Sequence, residues 1–374
     1  MKIVKGNPQN IGNPLICRVS KKKSWIGSKN TVLVTRENPK LLWGYSGVIT
    51  TKSVNVTKPS VSEISDSDFD TLFDGDIVKI NSDGMIQVLW ENKSHQNVFF
   101  MTDYCNSACI MCPQKSVSLS RSYHELNQKI LSLLSSSDEV KHICFTGGEP
   151  TLCLDNLVEL LHGCKTKFPS TPVSLLTNGK LLSDFSIAKK IVEANSNIMF
   201  CIPLYAPTDI EHDLIVGSEG SFQQTIKGLY NLARLKAPVE IRVVMIKQNY
   251  DRLVDLAEFI FRNMPFVAHI ALMGMECSGV ASKNLNDVWV DPIEYQAQLR
   301  QCVIELHRRA MNVSIFNLPY CLLPKEMWRF SRDSISEWKK TFQDSCTSCI
   351  KIDHCAGNFA TSTRQSRYLK PIIE

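Results

Sequence analysis

The chain has 374 residues, 44% of them hydrophobic and 21% charged, with a formal net charge of +5 at pH 7. That length suits one large domain with accessories, and the composition is that of a folded soluble protein rather than a disordered one. The mild charge does not favour nucleic acid as a partner: no basic face continues the run Lys21, Lys22, Lys23, which reads as a solvated loop.

The opening "MKIVKGNPQNIGNP" holds no apolar signal segment, and no apolar run approaches the ~18 residues that cross a bilayer. The expectation is a cytoplasmic protein without a membrane partner. Fourteen cysteines in such a chain point to metal rather than to disulfides.

Residues 1–95 read as a small, mostly β module, a partly open barrel of short strands such as "TVLVT", "SGVIT", "DIVKI" and "IQVLW". One short helix is expected within "SVSEISDSDFDTLFDGD".

The rhythm changes near residue 97. "NVFFMT" precedes "YHELNQKILSLLS", and "HICFTG" precedes "LDNLVELLHGCKTKF". "VSLLTNG", "IMFCIPLY", "VEIRVVMI" and "HIALMG" are each followed by an amphipathic stretch in the same way. Six near-continuous apolar strands alternating with helices predict an α/β fold over residues 96–315, a parallel sheet that is either open or a partial barrel. In either form chemistry sits at the C-terminal ends of the strands. Residues 316–374 differ again, reading as a helical segment that leads into a cysteine-containing extension.

Three features fall on the expected mouth. "TDYCNSACIMCPQ" follows the first strand and places Cys105, Cys109 and Cys112 in a C-x3-C-x2-C spacing. Thiolates are soft ligands for iron–sulfur clusters and zinc; zinc with a distant fourth ligand, or three buried free thiols, are the plainer readings. "FTGGEP" ends the second strand with Gly147, Gly148 and Glu149, where paired glycines permit close backbone approach and the carboxylate can meet a cationic amino group. "TNG", with Thr177 and Asn178, ends the third strand and reads equally as a plain turn.

Together these residues resemble the radical S-adenosylmethionine (SAM) enzymes. The resemblance implies a partial (β/α)6 barrel over residues 96–315 with Cys105, Cys109 and Cys112 on a [4Fe–4S] cluster. It also implies SAM on the open iron, its amino group at Gly147, Gly148 and Glu149, its adenine near Met111 and its ribose at Thr177 and Asn178. Arg242, a charge inside the fifth strand, needs an anionic partner, and the SAM carboxylate is the candidate. Tyr205, His212 and Asp213 lie in "LYAPTDIEHDLIVG", expected to be a loop on the same rim; the His-Asp pair reads as a local cap before it reads as a substrate contact.

In the extension, Cys346, Cys349 and Cys355 form C-x2-C-x5-C, and Cys321 in "LPYCLLP" is the expected fourth ligand, with Cys277 as its alternative. The ligand is a second iron–sulfur cluster or zinc. Radical SAM enzymes acting on peptides carry a comparable extension with a further cysteine, but Phe359 occupies that position here. Cys17, Cys144, Cys153, Cys164, Cys201 and Cys302 are expected in the core.

The combination of "TDYCNSACIMCPQ", "LYAPTDIEHDLIVG", "LPYCLLP" and "SISEWKKTF" with the tail cysteines is similar to the C-type maturases of His-Xaa-Ser systems. That similarity implies hydrogen-atom abstraction from a ribosomally made peptide bearing His-Xaa-Ser repeats, a second radical SAM maturase as partner, and an electron donor. A radical SAM enzyme acting on a small molecule or RNA, and a non-catalytic iron–sulfur scaffold, are the alternative functions.

Overall fold

The computed structural model describes residues 2–22, 28–39, 42–114 and 122–373. They form two compact units: residues 1–99 with 123–144 and 162–172, and residues 100–122 with 145–161 and 173–374. The sequence division at residue 95 therefore falls just before the end of the first stretch, and the first unit also takes chain from beyond it.

The first unit holds strands β1 (Ile3–Lys5), β2 (Asn7–Gln9), β3 (Leu15–Ser20), β4 (Thr31–Thr35), β5 (Gly47–Thr50) and β6 (Ser60–Ser62). Helix α1 (Asp66–Thr71) and strands β7 (Ile77–Ile80) and β8 (Met85–Trp90) follow. They make one eight-stranded sheet ordered β1-β8-β7-β3-β4-β5-β6-β2. The four expected strand runs and the one helix are all there. Period-two patterning explains β8, whose residues alternate between buried and half-buried. Ser65 caps α1 by accepting the Asp68 N–H at 3.0 Å.

Lys21 is not the solvated charge expected: its Nζ donates to the Phe69 carbonyl at 2.9 Å and lies 4.2 Å from the Phe69 ring centroid. Lys23 lies outside the described residues.

The later elements are β9 (Asn97–Phe100), α2 (His124–Leu133), β10 (Ile143–Thr146), α3 (Leu154–Lys167), β11 (Val173–Leu176), α4 (Phe185–Ala194) and β12 (Ile198–Pro203). Next come α5 (Asp209–Val216), α6 (Ser221–Arg234), β13 (Val239–Val244), α7 (Leu253–Asn263), β14 (His269–Met273), α8 (Gly279–Lys283) and α9 (Leu285–Val288). The series ends with α10 (Gln296–Arg308), β15 (Val313–Phe316), β16 (Ser331–Arg332), β17 (Lys340–Thr341) and β18 (Asn358–Phe359).

Strands β9 to β16 form a second sheet in sequential order, parallel from β11 through β16. The order has two edges, as a partial barrel requires. The six expected strands are β9 to β14, and β15 and β16 extend the same sheet. This is the α/β architecture expected, with every site-bearing loop at a strand's C-terminal end.

Two local expectations change. The "LYAPTDIEHDLIVG" stretch is a helix, α5, capped by the Thr208 side chain at its start and by left-handed Gly217 at its end. The extension carries no α-helix beyond α10 among the described residues, only 3-10 turns and two-residue strands. Pro319 and Pro324 stand at the starts of its first two turns and prevent a continuous helix. Of the six cysteines expected in the core, Cys153 is half-buried and the rest are buried. No helix among the described residues is long and apolar enough to cross a membrane.

Within the first unit Arg18 grips Asp138 with two bonds of 2.6 Å and also donates to the Leu133 carbonyl at 3.2 Å. The Arg18 side chain is 25% and that of Asp138 8% exposed, so the fork is only partly screened. Asp138→Ala should destabilise this unit by about 2 kcal/mol, less than a fully buried pair would lose. Urea unfolding of the variant measures it.

Candidate active site

The cysteine loop leaves β9 and has irregular backbone, so its polar groups need partners from other elements. The C-terminal end of α5 supplies two, with Ala108 N–H donating to the Val216 carbonyl at 2.9 Å and Ile110 N–H to that of Ile215 at 3.1 Å. From the other side, Ala281 and Val280 donate to the carbonyls of Cys112 and Gln114 at 3.0 and 3.1 Å. Asn284 Nδ2 donates to the Ile110 carbonyl at 2.9 Å, and Gln114 Nε2 to that of Gly147 at 2.9 Å. Gly217 is required where α5 meets the loop: its φ is +58°, and a Cβ there would lie 2.7 Å from the Ala108 carbonyl oxygen.

Cys105, Cys109 and Cys112 are all half-buried on this loop. Burial, followed by the neighbouring Cys112 and Cys105 thiols, pushes the Cys109 thiol up to about 12. Burial also raises Cys105 and Cys112, while Ser107 and Gln114 backbone N–H groups point at their sulfurs. Met111 packs in an apolar cluster with Tyr205, Ile215, Val216 and Met275 and is 3% exposed, so it buttresses the loop from behind.

The glycine pair packs against the start of the cysteine loop. Gly148 N–H donates to the Thr102 carbonyl at 2.7 Å and Glu149 N–H to that of Tyr104 at 2.8 Å. A Cβ on Gly148 would lie 2.1 Å from the Tyr104 oxygen and one on Gly147 2.4 Å from that of Thr102. The close approach is made by the chain itself.

Glu149 is tied into the chain's own hydrogen bonds. It is 0% exposed, and its carboxylate accepts from Thr151 N–H (3.0 Å), Thr151 Oγ1 (2.5 Å), Thr177 Oγ1 (2.6 Å) and Asn178 N–H (2.6 Å). Burial still holds its carboxyl above the usual range, with the Thr151 hydroxyl leading the opposing donors. Thr177 and Asn178 are consequently the fasteners of this carboxylate, and Asn178 Nδ2 continues the tie to Asn106 Oδ1 in the cysteine loop at 2.7 Å.

Arg242 does not stand free for a ligand carboxylate. Its Nε donates to Glu240 at 2.6 Å, and Glu240 also meets His269 Nδ1 at 2.7 Å. His269 first and then Arg242 draw the Glu240 carboxyl down to about 2 against its burial. The partner sits two residues away on β13, where period two puts both on one face.

Asp213 and His212 have structural duties. Asp213 accepts from the Gly220 and Phe222 N–H groups at 2.6 and 2.7 Å, and His212 Nδ1 accepts the Tyr205 N–H at 3.2 Å.

Sequence reasoning missed Asn106, Gln114, Lys180, Ser218 and Asn284. Lys180 Nζ donates to the Asn106 carbonyl at 2.8 Å and to Ser218 Oγ at 2.7 Å. The one available signal was a lysine directly after "TNG" at a strand's end.

In the extension, Cys321, Cys346, Cys349 and Cys355 line one cavity with Phe342 and Ile352. Backbone N–H groups reach three of the sulfurs: Lys370 to Cys321, Ile372 to Cys349 at 3.4 Å and Gly357 to Cys355 at 3.5 Å. Cys277 is not part of that lining; it is 0% exposed in the apolar cluster beside Met111, its backbone bonded to Ser362 and Thr363. Phe359 sits on β18, where it pairs with Lys340.

Among the described residues no three His, Cys, Asp or Glu side chains are arranged to hold a single metal ion, so fit is judged from donor chemistry. Three soft thiols in one loop, two of them met by backbone N–H groups, fit an iron–sulfur cluster. Ser107 Oγ, buried in the same loop without a partner among the described residues, marks a polar position the loop itself does not fill.

The Radical SAM superfamily model matches residues 99–260, the stretch that holds the cysteine loop and the glycine pair. Among curated proteins the chain is 24% identical over 234 residues to the tungsten-containing aldehyde ferredoxin oxidoreductase cofactor-modifying protein of Pyrococcus furiosus. That match covers 60% of this chain and spans 63% of the relative. Of solved structures, native anSMEcpe with bound AdoMet and Cp18Cys peptide aligns with a TM-score of 0.52 at 14% identity, covering 74% of this chain and 91% of that one. Streptococcus suis SuiB bound to S-adenosylmethionine aligns with a TM-score of 0.48 at 17% identity over 59% of this chain and 50% of that one.

Two outcomes follow from the geometry. Glu149→Gln presents an amide N–H to groups that are themselves donors, so stability should fall by about 2 kcal/mol or more. Alkylation of Cys105, Cys109 and Cys112 in metal-free protein should quicken; thermal unfolding and mass spectrometry read the two effects.

Burial holds the His212 imidazole down to about 4, so it folds neutral. On acidification from pH 6.5 to 4 the unfolded chain takes up a proton that the folded one refuses. Stability is therefore full above 6.5 and falls by roughly 3 kcal/mol toward pH 4. His212→Phe should flatten that part of the stability–pH curve.

Proposed function

We propose that the chain is a radical SAM enzyme whose cluster is held by Cys105, Cys109 and Cys112 and whose substrate is a peptide. The observation that carries the reading is the braced three-thiol loop at the mouth of the parallel sheet. When bound, a [4Fe–4S] cluster there supplies one electron for reductive cleavage of SAM and hence the abstraction of a hydrogen atom from substrate.

The chain's own contribution is order. Carbonyls of Ile110, Cys112 and Gln114 are already bonded, so the loop presents its sulfurs without first rearranging. Glu149, Thr177 and Asn178 hold the loops around it, and Met111 with Tyr205 and Met275 gives it an apolar backing.

The peptide class is supported by the extension, where four cysteines surround one cavity and could take a second cluster or zinc, and by the peptide named in the anSMEcpe structure. A substrate with His-Xaa-Ser repeats, a partner maturase and an external electron donor complete the proposal. The name of the Pyrococcus furiosus relative favours a second reading, modification of a cofactor or another small molecule.

Anaerobically reconstituted protein should release 5′-deoxyadenosine from SAM when reduced. Replacing Cys105, Cys109 and Cys112 together by alanine should abolish that release while the far-ultraviolet circular dichroism is retained. Turnover that survives the triple change sinks the assignment. Replacing Cys346, Cys349 and Cys355 by alanine should lower bound metal yet leave the first cluster's iron in place.

A further inference from the structure

Lys180 is 8% exposed, and its ammonium meets two neutral oxygens, the Asn106 carbonyl at 2.8 Å and Ser218 Oγ at 2.7 Å. An ammonium carries three donors, so one N–H and the whole charge remain. No carboxylate among the described residues is hydrogen-bonded to it. A buried cation without an anion is costly, by several kcal/mol for an uncompensated charge.

The surroundings say where the missing anion belongs. Lys180 follows the loop that Glu149 gathers, and Asn106, which it grips, is the residue after Cys105. Glu149 is buried too, but none of the four donors on its carboxylate is Lys180: three meet Oε1 and the Asn178 N–H meets Oε2. Arg242, the other cation suited to an anion at this mouth, is engaged by Glu240.

We infer that Lys180 is the fixed positive charge of the cofactor site, placed for an anionic group that arrives with the cofactor. This rests on the reading of Cys105, Cys109 and Cys112 as cluster ligands. Two sources share that chemistry: the thiolate–sulfide cluster and the carboxylate of SAM. A charge beside the cluster favours its reduced, more negative state and raises its potential. A charge beside the carboxylate strengthens SAM binding.

The test uses the full chain, reconstituted with iron and sulfide, with Lys180→Met and Lys180→Arg. Iron content, the cluster's midpoint potential without SAM, and SAM affinity by calorimetry are measured. A lowered potential in Lys180→Met identifies the cluster as the anion. SAM binding weakened about tenfold at unchanged potential identifies the carboxylate. Either outcome, with Lys180→Arg restoring most of the effect, supports the inference.

Wild-type potential and SAM affinity in Lys180→Met overturn it. If Lys180→Met holds no iron, Lys180→Arg decides: retained iron supports the charge, and lost iron refutes it. A wild-type chain that takes up no cluster defeats the functional reading itself rather than this inference.

Discussion

A carboxylate with no exposed atom holds the mouth of this sheet together. Burying Glu149 is tolerable only because Thr151, Thr177 and Asn178 surround it with donors, and those residues come from two loops far apart in sequence. The loops after β10 and β11 must therefore close on the same point. Through the Asn178–Asn106 amide pair the requirement passes to the cysteine loop. Low dielectric strengthens each of these bonds and makes each missing one expensive, so the network is ordered as a unit.

That order matters because the cysteine loop has no secondary structure to hold it. Its backbone bonds go to the end of α5 and the start of α8, and its three thiols are left for chemistry. Soft sulfur ligands on a rigid frame need little reorganisation when a cofactor enters. The extension follows the same rule by another route: the turn after β15 supplies one thiol, the segment 346–355 three, and later backbone N–H groups reach three of the sulfurs.

Several site residues do something other than their chemistry suggests in isolation. A glutamate beside paired glycines reads as a ligand for an amino group, and Glu149 has the added duty of gathering the protein's own N–H and O–H groups. An arginine in an apolar strand reads as a ligand's counter-ion, yet Arg242 finds Glu240 two residues away, a neighbour already visible in "VEIRVV". "DIEHDLIV" reads as rim loop, but Thr208 and Gly217 at its two ends are ordinary helix signals that make it α5.

The six strands β9 to β14, the thiol spacing at Cys105, Cys109 and Cys112, and the placement of that loop at a strand's C-terminal end were legible in the amino-acid order alone. Each is a local property, set by alternation, helical period or neighbouring residues along the chain. The convergence of Cys321 with Cys346, Cys349 and Cys355 on one cavity, the pairing of Arg242 with Glu240 and the absence of a carboxylate bonded to Lys180 among the described residues were decided only in the folded molecule. Partnership between buried charges depends on distance through space, and the segments that meet at Asn106, Glu149 and Lys180 become neighbours only when the parallel strands bring their ends together.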